Sequence, residues 1–403
     1  MPWSTRWAPT SEELSACIEC GLCLPHCPTY RLTGDETASP RGRLNAMSAV
    51  ASGLVEIDDA FDEVMSFCLQ CRACEAACPS LVSFGRAMEG ARAELTAVRP
   101  RGRRLRVRVF GRLIRRRWMV SLVSLGAALA QRVGRRAIPR RLRIGLKGMR
   151  RLPFRRSSVL GYDSSRGGET VGLLAGCVMD PWFGSVHHAT IALLEKAGYR
   201  VVVPKGQTCC GALAAHEGAA DEALRMAAVN QEAFAGVDLV VSNSAGCSAH
   251  LAGYGHWEAP AVQERSVDAL RLVAEAIADG RLPTLELTGE RVAVQDPCHH
   301  RHALRMINEP RVILRAAGYE PIDVDPAAMC CGAAGVYSLL RPETSAALGS
   351  AKAAEVLATG CSTVATANPG CEMQLRGHLG DEIRVAHPLE LYAEALALGA
   401  FAN

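Results

Sequence analysis

Twelve residues near the N-terminus, Cys17-Ile18-Glu19-Cys20-Gly21-Leu22-Cys23-Leu24-Pro25-His26-Cys27-Pro28, read C-x-x-C-x-x-C-x-x-x-C-P. The pattern returns at Cys68, Cys71, Cys74, Cys78 and Pro79. Thiolates at this spacing wrap 4Fe–4S clusters. The short gaps let one loop set three ligands around one cluster, and the fourth Cys, followed by Pro, leads away to the other. The spacing therefore assigns Cys17, Cys20, Cys23 and Cys78 to one cluster, and Cys68, Cys71, Cys74 and Cys27 to a second. Disulfides would need an oxidising compartment, and zinc sites rarely use four Cys in this order. Two copies in one chain make coincidence a poor explanation.

Eight further cysteines form a second constellation: Cys177, Cys209, Cys210 and Cys247, then Cys298, Cys330, Cys331 and Cys371. Corresponding positions are 121, 121 and 124 residues apart for the first Cys, the Cys pair and the last Cys. Two adjacent Cys cannot easily face one metal ion, but they can hold different irons of a further cluster. Gly211 and Gly332 follow each pair and let the backbone turn tightly beside such a group. Recurrence at a fixed offset argues against inert thiols packed as small hydrophobes. The spacing leaves open whether each copy binds a cluster, the two share one, or one set is vestigial. His299, His300 and His302 crowd Cys298. His302 is a candidate donor to a cluster sulfide or a proton relay, because His titrates near neutrality; His299 and His300 read as solvated or structural. Cys361 stands where the first copy has Val237, and is expected in the core. Neither G-x-G-x-x-G nor G-x-x-x-x-G-K-[ST] occurs, so nothing warrants a flavin or nucleotide site in this chain. Oxidation of an alcohol carbon needs a hydride acceptor, so that chemistry would belong to another polypeptide.

The elements that must position these thiols differ between the two constellations. About forty residues separate the N-terminal motifs. Ser39 and Pro40 suit a helix N-cap and first position, and apolar residues recur at helical spacing over 44–54 and 60–67. A further helix is expected over 85–98. The prediction for 1–98 is thus an α-helical ferredoxin domain with two 4Fe–4S clusters. Arg41 and Arg43 read equally as neighbours of an anionic cluster or as solvated helix-start residues. From residue 170 the pattern becomes α/β. Strands are expected at 171–175, 200–203 and 238–242, then at 292–295 and 363–367, with helices between. The repeat predicts two duplicated Rossmann-like α/β lobes, 169–284 and 285–403. Open α/β sheets bind ligands beyond the carboxyl ends of their strands, where the Cys loops fall.

The chain has 403 residues and a formal net charge of +4. That length suggests two or three domains. Residues 1–16 contain no apolar core of a signal peptide. High Cys usage without an export signal points to metal or redox chemistry in the cytoplasm. No apolar run reaches the roughly eighteen residues of a membrane span. Residues 99–156 hold 21 Lys and Arg with no Asp or Glu, which leaves a net −17 elsewhere. We read 99–168 as a basic helical connector and linker. Its apolar stretch, 118–130, suits a buried or interfacial helix. Two readings follow. The segment docks on an anionic membrane at its inner face, near a quinone or respiratory acceptor, or it wraps the acidic remainder of the chain. A redox sensor binding nucleic acid is the weaker third reading, because the run has one Trp and no recognisable reader motif.

With these residues in view, the Cys-Cys-Gly repeats look like the corresponding domains of heterodisulfide reductase. The whole order resembles the iron–sulfur subunit of bacterial glycolate oxidase over nearly the full chain. The matching residues include Cys27-Pro28-Thr29-Tyr30, Ser39-Pro40-Arg41-Gly42-Arg43, Cys71-Arg72-Ala73-Cys74-Glu75, Asp296-Pro297-Cys298 with His302, and Asn368-Pro369-Gly370-Cys371. The resemblance implies an oxidoreductase subunit passing electrons from an FAD-containing subunit, which oxidises a 2-hydroxy acid, to a quinone or other respiratory acceptor. The heterodisulfide reductase pattern ends each repeat in C-x-x-C, whereas Ser244 and Asn368 stand at the first of those positions here. Five thiols per lobe become four, which weakens the alternative of a heterodisulfide or thiol–disulfide reductase.

Overall fold

The computed structural model describes residues 3–98, 101–133, 146, 148–152 and 158–398. Parts of the basic connector, 134–145 and 153–157 among them, lie outside the described residues.

The insert between the N-terminal motifs is helical. Ser39 caps helix Pro40–Ala51 by accepting from the Gly42 amide, with Pro40 opening the first turn. Asp58 caps helix Asp59–Ser66 through the Phe61 amide. These two helices and Phe84–Val98 enclose a core of Leu44, Met47, Phe61, Met65, Met88 and Leu95, into which Cys68 and Cys74 also pack. Met47, Met65, Met88 and Leu95 are fully buried, and each such side chain stabilises the fold by about 1.5–3 kcal/mol. The motif loops are therefore fixed by a core of their own.

Two parallel four-stranded sheets follow. The first has β1 (Thr170–Leu173), β2 (Arg200–Val202), β3 (Leu239–Ser242) and β4 (Ser266–Asp268) in the order β2-β1-β3-β4. The second has β5 (Arg291–Val294), β6 (Glu320–Asp323), β7 (Thr363–Ala365) and β8 (Arg384–Ala386) in the order β6-β5-β7-β8. The register repeats as well: Val171 pairs with Val201 and Leu239 in one sheet, and Val292 with Pro321 and Thr363 in the other. Connections reverse direction between β1 and β3, and between β5 and β7, the switch point at which such sheets leave a crevice.

The periodicity did not reveal β4, β6 and β8. They are three or four residues long, and β6 carries Pro321, which an edge strand tolerates because its missing N–H faces away from the ladder. Strands β1 and β7 also end two residues before their expected limits. The Ala175 amide turns from the ladder to the Gln207 side chain, at 2.7 Å. In the second lobe Thr366 Oγ1 donates to Gln295 Oε1, at 2.7 Å. These side-chain bonds divert the chain at the strand ends into the Cys loops.

The lobes share one core. Helix Ala269–Ala278 of the first lobe packs on Asn308–Ala316 of the second, and Pro388–Ala395 of the second packs on Gly184–Lys196 of the first. Leu173, Leu194, Leu270, Ile313, Leu389 and Tyr392 meet between them. This reciprocal exchange is what a pseudo-two-fold duplication requires. Among the described residues no helix is long and apolar enough to cross a membrane.

Candidate metal centres

The two N-terminal motifs fold alike. Glu19 and Gly21 have positive φ in the first, as do Gln70 and Arg72 at the matching positions of the second. Left-handed backbone on either side of the middle Cys curls each loop. It costs roughly 1–2 kcal/mol for a residue with a Cβ, and so persists only where the surroundings enforce it. Cys17, Cys20, Cys23 and Cys78 line one cavity together with Pro40, Arg41 and Phe84, and Cys74 of the second predicted set reaches it as well. Of the other predicted set, Cys27, Cys68 and Cys74 are buried and Cys71 is half-buried. Burial pushes the Cys71 thiol well above its usual range, with the neighbouring charges of Cys298 and Cys68 adding to the effect. Burial does the same to Cys74, with Cys71 and Cys68 next in order. Such thiols ionise when iron compensates the charge. Among the described residues no three His, Cys, Asp or Glu side chains converge on one point as a single metal ion requires.

Arg41 and Arg43 part company here. Arg41 lines the Cys17 cavity, donates to the Glu19 carbonyl at 3.0 Å and pairs with Glu36 at 2.8 Å. Arg43 is fully buried. It donates to the carbonyls of Val64 and Ala38 and to Thr29 Oγ1, at 2.9, 2.7 and 3.2 Å. Arg43 thereby ties the turn after Cys27 to the helical core, and its Nη1 also lies 4.0 Å from Cys27 Sγ, beside a predicted cluster ligand.

In the first lobe, Cys210 Sγ lies 3.3 Å from Cys247 Sγ, and Cys177 and Cys209 are within hydrogen-bond reach of each other. Cys298, Cys330, Cys331 and Cys371 form the equivalent chain in the second. Shared thiol hydrogen bonds hold Cys209 in one lobe and Cys331 in the other well below the usual thiol range. Gly211 and Gly332 sit at φ +98° and +84°, each donating its amide to the first thiol of its pair at 3.5 Å. A Cβ at Gly332 would meet the Ser345 carbonyl oxygen at 2.8 Å, so that turn requires glycine.

The second N-terminal motif abuts the second lobe. Cys71 and Cys298 enter one apolar cluster with Leu69, Cys330 and Tyr337. His299 Nε2 lies 3.1 Å from the Gln70 carbonyl, and Tyr337 donates to the Phe67 carbonyl at 3.2 Å. His300 is fully buried, with Nε2 2.9 Å from Asp268 Oδ2 across the lobe boundary. His302 Nε2 is engaged by the Ala328 carbonyl at 3.2 Å, so it braces the loop leading to Cys330. Cys361 is 4% exposed within the second lobe's core.

Ser244 and Asn368 meet across the lobe boundary. Ser244 Oγ donates to Asn368 Oδ1 at 3.4 Å, and the Gly246 amide donates to the same oxygen at 3.2 Å. Sequence spacing gave no sign of this contact, which needs both lobes assembled.

Comparison with known proteins agrees with this layout. Residues 13–91 match the 4Fe-4S dicluster domain, and 171–252 and 292–376 each match the cysteine-rich domain. The chain is 35% identical to the probable glycolate oxidase iron-sulfur subunit of Bacillus subtilis (strain 168), over 95% of this chain and 94% of that protein. It is 28% identical to the glycolate oxidase iron-sulfur subunit of Escherichia coli (strain K12), with the same coverage of both. A fumarate reductase (CoM/CoB) subunit of Methanothermobacter marburgensis is 26% identical over 94% of this chain and 72% of its own. On this sequence likeness and its shared domain order, the chain belongs to the family of glycolate oxidase iron–sulfur subunits.

Proposed function

We propose that this chain is the electron-transfer subunit of a flavin-dependent 2-hydroxy-acid dehydrogenase of the glycolate or lactate type, serving an FAD-containing partner and a quinone or other respiratory acceptor. Bound at its thiols, 4Fe–4S clusters would supply one-electron carriers. Cys17, Cys20, Cys23 and Cys78 would hold one, and Cys68, Cys71, Cys74 and Cys27 the second. The two lobe sets would hold further iron and sulfide, each on a Rossmann-like lobe. The observation that carries the reading is continuity: the second N-terminal motif packs directly on Cys298 of the second lobe. The left-handed turns and Arg43 hold the thiols in place, and the apolar cluster around Leu69 and Tyr337 excludes water between them. The disulfide-reductase alternative gains nothing from the geometry, since Ser244 and Asn368 occupy the positions of the missing thiols and bond to each other. Anaerobic affinity purification of the tagged chain from its native host should bring down a flavoprotein in stoichiometric amount. A chain recovered with its iron but with no flavoprotein would remove the subunit reading.

We also propose that helix Arg117–Val133 docks the protein on an anionic membrane. Its inner face belongs to the chain. Ser124 accepts from Trp182 Nε1 at 2.8 Å and Arg117 lies 3.9 Å from Asp180, while Arg115, just before the helix, pairs with Glu222 at 3.1 Å. The intramolecular role of the basic segment is thus real for these residues. The outer face carries Trp118, Leu122, Leu125 and Leu129 at helical spacing, 47–59% exposed. Apolar insertion beside cationic flanks is what an interfacial helix needs, and each Lys or Arg near an anionic surface adds about 1 kcal/mol. The protein should co-sediment with anionic liposomes at low salt, and Leu122→Asp should lower the bound fraction several-fold. Equal binding to neutral and anionic liposomes at low salt would discard the docking role.

A further inference from the structure

A cavity of about 190 Å³ lies where the helical module meets both lobes. Three Cys loops border it. Gln70 and Arg72 flank Cys71, Gly246 precedes Cys247, and His299 follows Cys298, and all four line the space. Glu89, His216, His250 and Trp257 complete the part of the wall that matters here. Nothing in the electron-transfer reading uses these side chains.

The wall is polar without a spare cation. Arg72 is neutralised by Glu75 at 2.6 Å, and Arg86 by Glu13 at 2.8 Å. Burial pushes His250 down to about 3 and depresses His216 as well, so both imidazoles are neutral at physiological pH. A carboxylate ligand would want a free guanidinium, and the cavity offers none among the described residues. Neutral hydrogen-bonding groups in a wall without a free charge suit an uncharged, carbonyl-bearing ring. The volume is below the 300–1,000 Å³ of pockets that enclose drug-sized molecules. It takes a single head group and leaves any tail outside.

His250 lines the cavity, and its Nε2 is buried beside Gly211 with no hydrogen-bond partner among the described residues, a polar atom left unsatisfied at the wall of the site. The cavity also holds a proton source. His216 Nε2 lies 3.4 Å from Glu89 Oε1. Burial raises the Glu89 carboxyl to about 7, against the opposing charges of Arg72 and Arg92, which places it where a general acid works best at neutral pH.

We propose that this cavity binds the head group of a quinone and is where the chain hands over its electrons, with Glu89 and His216 delivering a proton. The inference rests on the electron-transfer reading above. The quinone takes up two electrons and two protons to become the quinol. The electrons are those released when the partner oxidises the 2-hydroxy acid to the 2-oxo acid, which also releases two protons. Glu89 donates one proton and regains it through His216 from solvent; the second comes from solvent directly.

The test is calorimetric titration of the iron-loaded full chain with a naphthoquinone and a benzoquinone lacking isoprenoid tails. Saturable one-to-one binding of at least one is expected. His250→Gln should weaken it at least tenfold, and so should Ser83→Trp, which blocks the exposed rim of the cavity without entering a core. Iron content should be unchanged in the Ser83 variant, so a folding defect in the His250 variant would still leave a decisive measurement. In the complex with the flavoprotein, Ser83→Trp should abolish quinone reduction while hydroxy-acid-dependent reduction of a one-electron dye continues at its original rate. Absence of saturable binding, or binding untouched by Ser83→Trp, overturns the site. Either result, with dye reduction intact, leaves the electron-transfer reading in place. Loss of hydroxy-acid-dependent dye reduction by the wild-type complex would count against that reading instead.

Discussion

A Cys71→Ser chain purified without oxygen is expected to lose about four iron atoms and one of two low-potential 4Fe–4S signals. Serine keeps the shape but offers a hard oxygen that stays protonated, where a cluster wants soft thiolate. Cys71 occupies the junction with the second lobe, in the apolar cluster that includes Cys298 and Cys330. Removal of a residue that merely orients a metal ligand costs 10–100-fold, so loss of a ligand should lower turnover of the full complex by roughly a hundredfold or more. Reduction of the partner's flavin by substrate should be unaffected, because Cys71 acts after that step. Cys361→Ser is the matched comparison: it should retain all iron and cost about 1 kcal/mol in packing. Iron analysis, EPR of the dithionite-reduced protein and stopped-flow flavin reduction check the three parts. Turnover unchanged in both Cys210→Ala and Cys331→Ala would reduce the lobes to a structural role.

Arg150→Met should destabilise the protein by about 3–5 kcal/mol, the cost of stripping a buried carboxylate of its cation. Arg150 is 6% exposed. It pairs with Glu372 at 2.5 Å and with Glu390 at 2.7 Å, and donates to Ser185 at 2.9 Å. One guanidinium at the end of the connector thus joins Ser185 of the first lobe to two carboxylates of the second, the residue after Cys371 and the Glu390 that completes the capping box of helix Pro388–Ala395. Burial alone would raise both carboxyls. For Glu390 the hydrogen bonds and charge of Arg150 prevail and bring it down to about 2. For Glu372 burial prevails, and its carboxyl stays above the usual range. A depressed carboxyl contributes stability that is complete above its unfolded pKa of about 4.3 and is lost as pH falls through the folded value. Without Arg150 both carboxyls would be raised, and that sign reverses: acidification from pH 7.5 to 5.5 should stabilise the variant relative to wild type. Thermal unfolding at the two pH values measures it. A variant melting within 1–2 °C of wild type at pH 7.5 would show the grip to be dispensable.

The chemistry-bearing residues were legible because the thiol spacings are local. C-x-x-C-x-x-C-x-x-x-C-P needs no tertiary information, and the offset between Cys177 and Cys298 announces a duplication. The central strands β1, β3, β5 and β7 were legible too, being continuous apolar runs. Strands β4, β6 and β8 were not: Ser266-Val267-Asp268 and Arg384-Val385-Ala386 each hold a single β-branched apolar residue, and Pro321 argues against a strand. Left-handed turns at Glu19, Gln70 and Arg72 were hidden, because only Gly21 advertises such a conformation. Arg43 read equally as a cluster neighbour or a solvated helix-start residue, and its burial against Ala38, Val64 and Thr29 showed only in the fold. The Ser244–Asn368 contact, the grip of Arg150 and the cavity beside His250 join residues more than a hundred positions apart, and no local pattern encodes them. The family could be read from the cysteine pattern, whereas the arrangement around those cysteines is a property of the assembled fold.

Turnover by the pure chain tests the central claim most directly. The chain should be isolated anaerobically, with iron counted and flavin absent by absorbance, and assayed with glycolate and lactate and a one-electron dye. The account predicts at least about eight iron per chain, no detectable oxidation of either acid, and turnover that appears when the flavoprotein partner is restored. Hydroxy-acid oxidation by the flavin-free chain, or a purified chain carrying stoichiometric zinc and no iron, would contradict it.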